Sequence, residues 1–125
     1  MKIRHLTYPL LLSALLAACA MQPPAPAKLT DGVLTGNGGM TLYTFDRDTA
    51  GNGKSVCNGP CATNWPPLYV AEGEAPSGDY SIVTRDDGKK QWAFKGKPLY
   101  YWIKDQKPGD RTGDGVNNTW HLAKP

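Results

Sequence analysis

Cys57 and Cys61, in Val-Cys-Asn-Gly-Pro-Cys-Ala, and His121 are the side chains of this sequence best suited to do chemistry. The chain holds three cysteines, and if Cys19 is consumed by a lipid the other two form an even pair, whose default in an oxidising compartment is a disulfide. Closing so short a loop stabilises a fold by about 2 kcal/mol, so its main effect would be to pin a glycine-proline turn. Reduced, the same two sulfurs together with His121 would suit Cu(I), which prefers soft thiolates. Oxygen ligands are the other candidate. Asp110 to Gly115 (DRTGDG) and Asp46 to Gly51 (DRDTAG) have oxygen side chains at positions one and three and glycine at six, as calcium loops do. Only the later loop has an acid at position five, Asp114, and position twelve falls on His121 or Cys57 where a bidentate Glu is needed. Turns are therefore expected at both places, with Asp110 and Asp114 the calcium candidates. His121 is the one histidine left once a leader is removed, and it has no evident Ser or free Cys nucleophile beside it. Phosphate-cradling, dinucleotide and zinc-protease motifs are missing from the sequence as well. The reading is of a non-enzymatic module with no cofactor predicted.

These residues must be positioned by a pattern written twice. LYTFDRD (42–48) and LYYWIKD (99–105) share Leu-Tyr-x-aromatic-x-x-Asp at an offset of 57 residues, which also sets Gly39 on Gly96. Each copy continues through a glycine-rich loop to a tryptophan, Trp65 or Trp120. Such a duplication predicts a pseudo-symmetric fold in which each copy completes the other's core. Residues two apart on a strand share a face, so Tyr43 and Phe45 should point one way, as should Tyr100 and Trp102. Asp48 and Asp105 fall at the strand exits, where a carboxylate can accept turn amides. The motif is thus expected to be a buried aromatic pair followed by a turn-fixing acid. DGVLT and KKQWAF should form hairpins with the two motif strands, and DYSIVT should add a strand closed by a turn at Asp87-Gly88.

The fold class expected is all-β: a small pseudo-symmetric sheet or sandwich domain of two repeats, about 31–70 and 80–125, with long loops and little helix outside the leader. One domain spans 29–125, since apolar residues fall in short runs and Gly and Pro are frequent. Ahead of it, residues 1–18 carry Lys2 and Arg4 before a short apolar run, the form of an export signal too short for a comfortable membrane span. Leu16 to Cys19 (LAAC) resembles a bacterial lipoprotein box, which implies acylation of Cys19 and anchoring in a lipid bilayer; Ala20 after the cysteine favours the outer membrane by the same resemblance. Residues 19–28 are a Pro- and Ala-rich tether. Fourteen Lys and Arg face 11 Asp and Glu, and losing Lys2 and Arg4 leaves 12 against 11, a balance that excludes a nucleic-acid partner.

YTFDRD and YYWIKD, with the lipoprotein box, CNGPCATNWPPL and GDGVNNTWHL, resemble the bacterial secreted-repeat lipoprotein family defined by Tyr-x-(Phe/Trp/Tyr)-x-x-Asp, over essentially the whole mature domain. That family is characterised by its motif and not by an activity, so the resemblance implies location and repeat architecture and supplies no catalytic residues. The function expected is a membrane-anchored envelope lipoprotein acting as a binding or accessory module, its partner an envelope protein or a small aromatic or glycan ligand. Trp65, Trp92, Trp102 and Trp120, with Tyr69, Tyr80 and Tyr101, exceed what one sheet face must bury and could line a groove of rings. The alternative is a periplasmic copper or thiol redox protein using Cys57, Cys61 and His121. That set resembles the copper arrangement of cytochrome oxidase assembly factors, although the βαβ pattern of those proteins is not visible here.

Overall fold

The computed structural model describes residues 24–125; the leader, Cys19 and the first part of the tether lie outside the described residues. The elements are β1 (Lys28–Thr30), β2 (Val33–Thr35), β3 (Tyr43–Phe45), one short helix α1 (Pro60–Asn64), β4 (Tyr80–Thr84), β5 (Lys90–Phe94), β6 (Lys97–Pro98) and β7 (Trp120–Leu122). They form three small antiparallel sheets, β1-β2, β3-β7 and β4-β5-β6. The all-β class with two repeats holds.

Turn chemistry sets the hairpins. Asp87-Gly88 closes β4 onto β5, with Arg85 N–H donating to Lys89 O at 2.8 Å. Gly39 and Gly96, the pair that aligns the repeats, both hold positive φ, +78° and +82°, a conformation that costs glycine little. Each feeds a motif strand back along its predicted partner. Leu42 N–H donates to Leu34 O in the first repeat and Leu99 N–H to Trp92 O in the second, both at 3.0 Å. The first of these turns is one residue longer.

The repeats exchange their last segments. The return after Trp65 leaves its own hairpin and enters that of repeat two: Trp92 N–H donates to Leu68 O at 2.8 Å, and Leu68 N–H to Leu99 O at 3.0 Å. The return after Trp120 does the converse, with Leu34 N–H donating to Ala123 O and Ala123 N–H to Leu42 O, both at 2.9 Å. At the centre the motif tyrosines pair with each other. Tyr43 N–H donates to Tyr100 O at 2.7 Å and Tyr100 N–H to Tyr43 O at 3.0 Å. Because these are equivalent residues, a pseudo-two-fold axis passes between them.

Alternation along the motif strands splits the interior in two. Leu42 and Leu99 point into one core with Leu34, Leu68, Trp92 and Ala123. Tyr43 and Tyr100 point into the other with Trp65, Trp120 and Cys57. Both tyrosines and both leucines have no exposed surface. The tether is shorter than its composition suggests: Ala27 is buried in the first core and Lys28 pairs with Thr35, because alanine is small enough to pack where the proline run ends. On β4, Tyr80 and Ile82 alternate on one half-buried face, Thr84 is exposed at the strand's end, and Val83 on the opposite face is buried. β5 explains this. It is the central strand of its sheet and is covered on both faces.

Candidate functional site

The motif tyrosine and the motif aspartate do not meet within a repeat. Tyr43 O–H donates to Asp105 Oδ2 at 2.6 Å, and Tyr100 O–H donates to Asp48 Oδ2 at 2.5 Å, so each repeat's phenol binds the other repeat's carboxylate. The second carboxylate oxygen does what the strand exit predicts. Asp48 Oδ1 accepts the Val56 N–H at 2.8 Å, and Asp105 Oδ1 accepts the Thr112 N–H and O–H at 3.0 and 2.6 Å. Each acid therefore fixes its own loop and clamps the other half.

Charge-assisted bonds of this kind exceed neutral ones. Burial, then the bonded carboxylates, hold the Tyr43 and Tyr100 hydroxyls far above the ordinary tyrosine range. Asp48 is also displaced upward: its desolvation outweighs the Tyr100 hydroxyl, the Val56 amide and the Arg85 charge, all of which favour the anion.

Each phenol oxygen also accepts one bond, and here the repeats differ. Gly113 N–H donates directly to Tyr43 Oη at 3.1 Å. A Cβ at Gly113 would lie 2.9 Å from Trp102 and Tyr43 atoms and 3.0 Å from Trp65, so only glycine fits between those rings. On the other side the Ser55 hydroxyl donates to Tyr100 Oη at 2.7 Å while accepting Cys57 N–H at 3.2 Å and Arg85 Nη1 at 3.0 Å. Arg85 is 4% exposed and also donates to Gln91 Oε1 at 2.7 Å and to Cys57 O at 2.5 Å. Sequence reasoning missed Arg85, Ser55 and Gly113. Arg85 stands beside Asp86 and Asp87 and looks like a solvated turn charge; Gly113 follows Thr112 as Cys57 follows Val56, the residues whose amides bond the motif carboxylates, an equivalence that the 57-residue offset does not show.

The rings form a ladder through the second core. Phe45 stacks on Trp120 at 4.1 Å, Trp120 on Trp65 at 3.7 Å, and Trp65 on Trp102 at 4.0 Å. Tyr43 meets Trp65 and Tyr100 meets Trp120 edge-on, at 5.5 and 5.1 Å. Its order is palindromic about the pseudo-two-fold axis. Phe45 and Trp102 are the half-buried ends. The expected open groove of rings does not form, because Trp65, Trp92 and Trp120 are buried and cover one another's or the core's surface.

Cys57 and Cys61 are joined, their sulfurs 2.04 Å apart, around the start of α1. Neither sulfur is then a thiolate for copper, and the fold does not add His121 to them: its Nε2 lies 2.8 Å from Asp46 Oδ2 on the surface. Among the described residues no three His, Cys, Asp or Glu side chains gather as a metal site. Asp110 Oδ2 accepts the Gln106 and Lys107 N–H groups, and Asp114 Oδ1 accepts the Leu122 N–H, so both calcium candidates serve as turn acceptors.

Of several hollows on the surface of the described residues, two adjoin tyrosines and tryptophans of the sequence pattern. One of about 660 Å³ lies between Tyr69–Glu74 and Ile82, where Lys89 Nζ stands 5.6 Å from the Tyr69 ring centre and Glu74 Oε1 accepts the Ala71 N–H. The other, about 370 Å³, sits over the ladder and is lined by Phe45, Arg47, Asn64, Trp65, Asn117 and Trp120.

A family model described as a secreted repeat of unknown function matches the chain twice, over residues 27–69 and 81–124. The chain belongs to that family. The first match begins at Ala27, the first buried residue among those described in this secreted repeat protein, and each match takes in a motif strand and the exchanged return that follows it. No curated protein and no solved structure matches it.

Proposed function

We propose that this secreted repeat protein is a lipid-anchored module of the bacterial cell envelope that binds or assists a partner and does not catalyse a reaction. The observation that carries the reading is the reciprocal lock: the motif's phenols and carboxylates are engaged with one another across the two repeats. The groups that acid–base or nucleophilic chemistry would use are thus structural, with Cys57 tied to Cys61 and His121 on Asp46. Anchoring rests on the Leu16–Cys19 box and the proline-rich residues after it, which would hold the folded body off the bilayer. Ala20 after the cysteine supports an outer-membrane destination.

Labelling cells with a palmitate analogue and fractionating their envelope tests the anchor. The wild-type chain should carry label and sediment with outer membrane, and Cys19→Ser should do neither. A wild-type chain recovered unlabelled in the soluble fraction refutes the anchored form. Crosslinking in the native envelope then tests the accessory role: a discrete adduct is expected, and recovery of the monomer alone counts against it.

A further inference from the structure

We infer that the cleft over the aromatic ladder is a saccharide-binding site that favours sugars carrying a carboxylate, an inference that rests on the binding-module reading and names its ligand class. The cleft straddles the pseudo-two-fold axis. Trp65 and Trp120, its equivalent floor residues, come one from each repeat, and so do Asn64 and Thr119, the residues before them.

The floor holds donors without partners. Trp65 and Trp120 are 4% and 3% exposed, and a tryptophan so deeply set normally bonds its N–H. Among the described residues Trp92 Nε1 bonds Glu74, whereas the indole nitrogens of Trp65 and Trp120 have no protein acceptor. Among the described residues the one sealed side-chain polar atom lacking a partner is Arg85 Nε, so both of these indole N–H groups keep some contact with solvent. The faces of both indoles are covered by their neighbours in the ladder. What the two indoles offer a ligand is therefore their edge N–H donors, which suit acceptor oxygens.

The walls fit the rest of a sugar. Half-buried Phe45 lines the cleft, stacks one face on Trp120 and has no second aromatic partner among the described residues, a ring of the kind that takes the C–H face of a pyranose. Asn64 and Asn117 present amides that can both donate to and accept from hydroxyl groups. Asn117 and Asn118 hold φ of +54° and +57°, a left-handed backbone that asparagine tolerates, and this turn carries the amide at 117 at the cleft. Arg47 lines the cleft and no carboxylate does. A guanidinium facing neutral donors and amides selects an anionic group.

The full acylated chain, in a phosphocholine detergent free of sugar headgroups, can be titrated with oligogalacturonate as the acidic probe and an N-acetylglucosamine oligomer as the neutral one. Tryptophan emission should change saturably with both, with half-saturation about two- to fivefold lower for the acidic probe, the range of an exposed charge pair. Arg47→Ala should abolish that preference and Asn117→Gly should weaken both probes, and since both residues are exposed each variant should melt like wild type. No emission change with either probe up to about 10 mM, or binding indifferent to both substitutions, overturns the site. Because acyl labelling reads the anchor separately, a labelled chain that ignores both sugars refutes this inference and leaves the anchored reading standing.

Discussion

Exchanging Tyr100 for Phe removes a single oxygen, and the structure says what that oxygen holds. It donates to Asp48 Oδ2 at 2.5 Å and accepts from Ser55 at 2.7 Å, in a place where Tyr100 has no exposed surface. Losing a hydrogen bond to a charged group costs about 1.5–3 kcal/mol, and Asp48 keeps only the Val56 amide and the Arg85 charge. A loss of about 2 kcal/mol lowers the melting temperature of a domain this size by roughly 8–16 °C. Tyr43→Phe should cost at least as much, since it also leaves the buried Gly113 N–H without an acceptor. The decisive measurement is a set of double-mutant cycles combining Tyr43→Phe or Tyr100→Phe with Asp48→Ala or Asp105→Ala, followed by urea denaturation. The cross-repeat pairs, Tyr43 with Asp105 and Tyr100 with Asp48, should couple by about 1 kcal/mol or more, and the same-repeat pairs should be additive within about 0.5 kcal/mol. Coupling confined to the same-repeat pairs would refute the reciprocal lock.

Removing the disulfide with Cys57→Ala and Cys61→Ala should cost about 2 kcal/mol in denaturant titrations, the loop-closure value for so short a span, and the unreduced wild-type chain should show no thiol at these positions when denatured. Gly113→Ala forces a methyl against three rings and should destabilise by about 1–3 kcal/mol, with an altered near-ultraviolet circular dichroism from the ladder; a wild-type spectrum and melting curve would contradict the packing. Stability should also fall in alkali. The Tyr43 and Tyr100 hydroxyls are held above their unfolded value near 10, so the unfolded chain releases protons first. Their contribution is whole below about pH 10 and declines above it by up to about 1.4 kcal/mol per pH unit for each tyrosine. Tyrosinate absorbance should appear for these two only as the chain unfolds, and their ionisation in the native state would count against the burial.

Offset and alternation in the sequence determined a good deal about this protein by themselves. The 57-residue spacing of the motif announced two matching halves, period two put Phe45 and Trp102 on the face of their tyrosines, and the even cysteine pair announced its own bond. Glycine and aspartate at the turns marked the hairpins, because those preferences act over a few residues and need no tertiary context. What the tertiary structure alone decided is who meets whom across the axis. A duplicated motif reads the same whether Tyr43 finds Asp48 or Asp105, since similarity between copies carries no information about which copy a side chain faces. The exchange of the two return segments chose the cross pairing, and with it stacked the tryptophans into a ladder where an open groove had been expected. Arg85 entered the interior for the same reason. Its acceptors come from the Ser55–Cys57 stretch and from Gln91 on β5, and only their convergence gives both terminal nitrogens of the guanidinium partners away from water.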